Sequence, residues 1–274
     1  MIQLISDKVL LSLSPVRGGG IMGFKYDGIP IFTPHRPYDL TPLGLSCFTL
    51  IPFSNRIKNG GFNFHGQFYP IPPNFTLADK VNPIHGYGLT AKWQIIEQDE
   101  HRVQLTLRHE KGDWPWDFRA IQIYELLPHG FRHEIIIQNM NDTPMPAGIG
   151  YHPYFPNKDA RLVHGFDGFV SENSMGVADT WSAQSDPINL QSAQTIDCDF
   201  TGMNGPLKII WPTHQVELTP SSNLPITHIY IPAGEDYFCI EPVSHVTDAF
   251  NNGGGQTILP QESWNVSLSY HVIK

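Results

Sequence analysis

Long apolar runs are missing from this 274-residue chain, as are clustered basic residues, cysteine pairs at short spacing and uninterrupted helical patterns. Each absence removes a class of protein. No stretch approaches the ~20 apolar residues needed to cross a bilayer. Met1-Ile2-Gln3-Leu4-Ile5-Ser6-Asp7 has no basic segment followed by an apolar one, so neither a membrane span nor a secretory leader is expected. With 17 Lys and Arg against 26 Asp and Glu, the net charge is -9, and the few cations are scattered. A nucleic-acid groove needs them clustered, so that partner is excluded in favour of a neutral or cationic small molecule. Cys47, Cys198 and Cys239 share no CxxC spacing, and any disulfide scheme leaves one unpaired. They are expected to be reduced thiols in a soluble cytoplasmic protein.

What the chain has in quantity is proline and glycine, 24 of each. They interrupt every window that could hold a long amphipathic helix. Short alternating runs remain. Trp264-Asn265-Val266-Ser267-Leu268-Ser269-Tyr270-His271-Val272 alternates apolar and polar over nine residues, the mark of a half-buried strand. Val103–Leu107 and Val216–Thr219 repeat it, and Leu4–Leu13, Ile21–Tyr26 and Leu207–Trp211 add further strands. Phe118–Leu127 and Phe131–Met140 flank Pro128-His129-Gly130, which predicts a hairpin. Ile135-Ile136-Ile137 is apolar on both faces and predicts a central, covered strand. The sum is one large antiparallel β-sandwich, and with no repeat, linker or composition shift, a single domain over residues 1–274. Regions 30–90 and 141–200 lack periodicity and read as long loops, which on a β scaffold usually carry function.

Some candidate motifs fail on their chemistry. Gly18-Gly19-Gly20 lacks the Gly-Lys-Ser/Thr ending and the following helix of a phosphate loop, so it reads as a tight bend between strands. None of the 13 histidines forms an HxH or HxxxH pair with a carboxylate partner, so no local metal motif is present. A site assembled from His85, His152 and His245 is the remaining, disfavoured, metal option. Trp211 and Trp264 sit in alternating strands and read as core. Trp114-Pro115-Trp116 lies in a turn, where core or rim packing is favoured over stacking on a sugar.

Gly150-Tyr151-His152-Pro153-Tyr154-Phe155 holds an imidazole among prolines and aromatics, in a segment that reads as too rigid for an ordinary strand or helix. Alone, that histidine is as readily buried scenery as machinery. Pro52-Phe53-Ser54-Asn55-Arg56-Ile57 comes before it, then Gly60-Gly61-Phe62-Asn63-Phe64-His65-Gly66, Pro73-Asn74 and Ile84-His85-Gly86. Cys239-Ile240-Glu241-Pro242 follows. Alone, Arg56 is a surface residue and His85 a satisfied polar histidine.

In this order and spacing the set resembles the aldose 1-epimerase family, also called galactose mutarotases, from about Gly18 to the last strand. The resemblance implies a β-supersandwich enzyme that interconverts the α and β anomers of a free hexose without cofactor or metal. It implies Glu241 as the base that takes the anomeric hydroxyl proton, and His152 as the acid that protonates the ring oxygen. Histidine suits that role through its near-neutral pKa, and the two groups are expected to face each other across the sugar. Arg56, His85 and Asp197 match sugar-binding positions, with Asp199 an alternative to Asp197. Asn55 is expected to orient its loop. The chain is shorter than fuller members, and the segment between Tyr154 and Asp197 carries no signature, which leaves the sugar open. A hexose 6-phosphate epimerase would need cations at the pocket mouth, for which Arg17, Arg36, Lys158 and Arg161 are candidates. A carbohydrate-binding protein without turnover is the alternative from another class.

Overall fold

The computed structural model describes residues 1–172, 178–184 and 187–274. Two antiparallel sheets dominate it. The larger has eleven strands, and its middle is built, in spatial order, by Gly20–Tyr26, Cys47–Leu50, Gly150–Pro156, Tyr237–Val243, Ile226–Ile231 and Ile196–Thr201. The second has eight strands, with Ser263–Ile273 and Gly130–Asn139 side by side at its centre. Among the described residues the helical content is two short 3₁₀ turns, Pro42–Gly44 and Ala249–Asn251. No described helix is long and apolar enough to cross a membrane.

The expected alternation organises the second sheet. Along Ser263–Ile273, Val266, Leu268, Tyr270 and Val272 are buried while their neighbours are not. Phe118–Leu127 and Gly130–Asn139 form the hairpin, paired from Phe118–Asn139 to Leu127–Gly130. Ile135 and Ile137 are fully buried in a central strand, but Ile136 is only half-buried, so the outer face of that sheet is not fully covered. The core fills the space between the sheets, where Phe24, Phe32, Phe131, Phe155 and Tyr270 meet largely edge to face. Trp114 and Trp116 belong to this core, packed with Phe62 and Phe250. The triple glycine is the expected bend: a Cβ on Gly18, at φ +64°, would stand 2.4 Å from the Leu89 carbonyl oxygen.

Three expectations change. Leu4–Leu13 is not one strand but a hairpin, Ile2–Ile5 and Val9–Ser14, because Ser6-Asp7-Lys8 makes a turn in which the Val9 amide donates to Ser6 Oγ. Gly150–Pro156 is a strand at the middle of the large sheet despite its prolines. Its ladder to Tyr237–Val243 pairs Gly150 with Val243 and Tyr154 with Cys239 but skips the positions between. Pro153 and Pro242, which have no N–H to donate, lie in that gap. The stretches 30–90 and 141–200 are not simply long loops: the first carries strands at Cys47–Leu50, Gly61–Phe64 and Gln67–Pro70, and the second at Met145–Ala147, Gly150–Pro156, Arg161–Val163, Gly168–Glu172, Ala178–Ala183 and Ile196–Thr201.

Candidate active site

Strand alternation sends Tyr151 and His152 to opposite faces of the large sheet. Tyr151 turns inward, its hydroxyl hydrogen-bonded to the His133 and Val266 carbonyls of the facing sheet at 2.8 and 3.3 Å. His152 turns outward. Register then builds a row across five strands: Phe48 pairs with His152, His228 pairs with Glu241, and Asp199 pairs with His228. His152 and Glu241 lie opposite each other at the centre of the ladder gap, with His152 Nε2 3.2 Å from Glu241 Oε1. One row along on the same face stand Tyr154, Cys239, Tyr230 and Asp197. A second, smaller apolar cluster, including Phe48, Leu50, Phe75, Ile84 and Val243, covers the rest of this outer face.

Loop residues from 52–57 and 73–90 wall the site. The Arg56 backbone bridges to Ile84, and the His85 amide donates to the Asn55 carbonyl. Arg56 Nε donates to Asp79 Oδ2 at 2.9 Å and its Nη1 to Asn55 Oδ1 at 3.1 Å. Asn55, expected to orient its loop, ties that loop to His85 through its carbonyl and, beyond the expectation, holds the guanidinium through its side chain. His85, at φ +59°, precedes Gly86, at φ +72°; a Cβ on Gly86 would lie 2.0 Å from the Ile51 carbonyl oxygen, so only glycine fits there. The His85 ring stands edge-on to the His152 ring, centroids 5.2 Å apart.

Together these elements enclose a cavity of about 270 Å³. That is near the lower end of the range for small-molecule sites and suits a single monosaccharide. Arg56, His85, His152, Asp197 and Glu241 all line it. Asp199 does not: it is buried beneath, accepting hydrogen bonds from His228 Nδ1 at 2.9 Å and the Thr247 amide at 2.7 Å. The choice between the two aspartates therefore falls on Asp197 as the cavity-lining one. Of the cations considered for a phosphate, Arg36 alone lines the cavity, its guanidinium 5.5 Å from the Tyr237 ring centroid. Arg17 is spent on the Asp39 and Thr41 carbonyls, and Lys158 and Arg161 are exposed away from the cavity.

Electrostatics within the row are uneven. Burial, then the neighbouring His228 charge, pushes His152 down to about 3. It lies stacked between Phe48 and Tyr154, with centroids 4.4 and 4.8 Å away. The near-neutral pKa expected of it is absent, because an apolar sandwich beside a cation disfavours a second positive charge. His85 is lowered for the same reasons, burial first and then His152 and Arg56. His228 goes the other way: burial opposes its charge, but hydrogen bonds to Asp197 and Asp199 outweigh it and raise its pKa well above the usual value.

The expectation of an acid and a base across a sugar also changes. His152 and Glu241 stand side by side on one floor. Hemiacetal chemistry accommodates that, because the hydroxyl and ring oxygens that exchange protons are bonded to the same anomeric carbon. Among the described residues, His152, Cys239 and Glu241 form one group whose potential metal-ligand atoms lie within 4.8 Å of one another. Burial, and then Glu241, raise the Cys239 thiol well above its usual value and hold it neutral. His245 stands apart from this group, with Nε2 accepting from the Ser54 amide at 3.3 Å. Nothing in the sequence alone singles out His228. Its one faint signal is its place in Ile226–Ile231, where Ile226, His228 and Tyr230 share one strand face and Thr227, Ile229 and Ile231 the other.

This architecture is that of the galactose mutarotase-like β-sandwiches. A galactose 1-epimerase from Lactobacillus acidophilus NCFM superposes with a TM-score of 0.81 over 99% of this chain and 93% of that one, at 18% identity. The chain belongs to the aldose 1-epimerase family, whose model matches residues 17–271. A solved structure from Escherichia coli K12 superposes with a TM-score of 0.90 at 26% identity, covering 99% of this chain and 98% of that one. The uncharacterized Escherichia coli K12 protein YphB is 27% identical over 93% of both chains.

Proposed function

We propose that this protein is an aldose 1-epimerase that interconverts the α and β anomers of a free hexose by ring opening and reclosure. The observation that carries the reading is the 3.2 Å contact between Glu241 and His152 on the floor of a sugar-sized cavity. Glu241 takes the proton of the anomeric hydroxyl as the bond from the anomeric carbon to the ring oxygen breaks and the carbonyl forms. The ring oxygen takes the Nε2 proton of His152, which is replaced by the proton just gained by Glu241 3.2 Å away, so neither side chain ends the step with a changed charge. Rotation about the bond beside the carbonyl, followed by the reverse steps, yields the other anomer and returns both protons. With His152 neutral in the free protein, the two side chains are best treated as one proton-sharing unit whose titration belongs to the pair.

Arg56 offers a fixed fork of donors, His85 a ring nitrogen, and Asp197 an acceptor, a set suited to the hydroxyls of a polyol. The chemistry asks only for proton transfer, so two positioned groups suffice. A free sugar is favoured over its 6-phosphate because, of the cations weighed for that role, only Arg36 lines the cavity.

Polarimetry of freshly dissolved α-glucose and α-galactose tests the proposal. Equilibration faster than in buffer, proportional to protein and unchanged after exhaustive chelation, is expected. A rate equal to buffer for these and related aldoses, with sugar bound in calorimetry, would instead make this a carbohydrate-binding protein.

A further inference from the structure

His228 has no part in the chemistry above, yet it sits between the sugar-facing Asp197 and the buried Asp199, directly beside Glu241 in register. Its Nε2 is 2.8 Å from Asp197 Oδ1 and its Nδ1 is 2.9 Å from Asp199 Oδ1. Ionised carboxylates only accept, so both ring nitrogens must donate, and a ring that donates twice is an imidazolium. Asp199 is also fixed by the Thr247 amide; it and His228 are buried, the latter 4% exposed at the cavity floor, while Asp197 opens onto the cavity.

We propose that His228 is a positioning residue of the site, a permanent cation clamped between Asp197 and Asp199. It aims the Asp197 carboxylate into the cavity and sets the field in which Glu241 and His152 share their proton. It does not bind the sugar, since both of its donors are used. This inference rests on the epimerase reading for its kinetic consequence but not for its structural content. The groups that face His228 are few: Asp197 and Asp199 on one neighbouring strand, and Glu241 and Cys239 on the other. Beyond these lie Tyr230 on its own strand, His152 one strand further, and Arg56 and His85 in the overlying loops. Only Arg56 in that set is a second fixed cation, and Asp79 already engages it.

Asp199→Asn separates charge from geometry. The amide can donate to Nδ1 while its oxygen accepts from Thr247, so both contacts of His228 survive around a neutral ring. Loss of a cation makes protonation of its neighbours easier, so the acid limb of the kcat/KM profile is expected to move to higher pH by on the order of one unit. A purely structural role would lower the rate without moving the limb.

The companion measurement needs no activity. In ¹⁵N-histidine-labelled wild-type protein, with the His228 signals assigned by their loss in His228→Gln, both ring nitrogens are expected to stay protonated from about pH 5.5 to 8.5. An unprotonated His228 nitrogen near pH 7, or an unmoved acid limb in an active Asp199→Asn protein, overturns the proposal. Doubly protonated His228 in a protein without epimerase activity would keep the clamp and remove the proposed reaction.

Discussion

Glu241→Gln is the sharpest probe of the floor of the cavity. The glutamine keeps the shape of the side chain and can still hydrogen-bond His152 Nε2, now 3.2 Å from Glu241 Oε1, but it cannot take a proton. A positioned base contributes ~10²–10⁴ in rate. The upper half of that range applies, because the other cavity-lining carboxylate cannot substitute. Asp197 is bound to His228 at 2.8 Å, and although burial opposes its charge, that hydrogen bond and the His228 charge lower its pKa, making it a poor base. A loss of ~10³-fold or more in kcat is expected, about 4 kcal/mol on the barrier. KM should change little, since the glutamine oxygen can still accept from the anomeric hydroxyl and Arg56, His85 and Asp197 are untouched.

Removing one partner of a buried ion pair normally leaves a stranded charge. Here the partner is neutral, so the melting temperature should move by no more than about 3 °C, the equivalent of roughly 1 kcal/mol. Exchange between anomeric proton signals at equilibrium, followed by saturation transfer, measures the rate without a coupling enzyme. A folded Glu241→Gln protein within about tenfold of wild type would refute the assignment of the base.

His152→Asn should lose most turnover while still binding sugar in calorimetry; loss of binding with turnover per bound sugar intact would contradict its role. Gly86→Ala forces a side chain onto the Ile51 carbonyl at positive φ, a conformation that alone costs ~1 kcal/mol or more. It should displace His85 and raise KM, and a variant with unchanged kinetics would show that the loop does not hold the sugar. Stability should depend on pH through the buried histidines. His85, His133 and His152 have lowered values when folded, so the unfolded chain binds their protons first, and stability falls as pH drops from the usual 6.5 toward about 3. His228, raised when folded, works oppositely: its contribution is complete below about 6.5 and is lost only as pH rises through its elevated folded value. Urea midpoints measured across this range should decline on the acid side; a flat profile between about pH 6 and 4 would mean these rings are not buried neutral.

Periodicity made the scaffold legible wherever one strand face meets water. Ser263–Ile273 and the Phe118–Asn139 hairpin could be read from alternation and a turn. Gly150–Pro156 could not, because six of its seven residues are buried and nothing alternates. Its prolines, which argue against a central strand, are tolerated because they fall in the ladder gap or at the strand end. The gathering of Arg56, His85, His152, Asp197 and Glu241 at one cavity was foreshadowed by motifs in combination, since no one motif carries it. His228 stayed hidden because its meaning lies in register: it becomes distinctive only when Asp197 and Asp199 are known to lie on the neighbouring strand. The low His152 value depends on what surrounds the ring, the Phe48 and Tyr154 faces and the His228 charge, which a linear sequence does not reveal.

The row Phe48, His152, Glu241, His228 and Asp199 is fixed by strand pairing, whereas Arg56 and His85 come from connecting segments. The two halves of the site therefore differ in their tolerance of insertion. One residue added within any of those strands would turn its polar side chain into the space between the sheets, where Phe155, Phe238 and Ile240 leave no room for a charge. Residues added in the stretch between Phe64 and Asn74 leave every strand of the row in register. The segment around Ala78, Ile84 and His85, which does line the cavity, lies outside the strands of the row as well, so on the proposed reading a redesign there would change the sugar accommodated and leave the proton chemistry of the row intact.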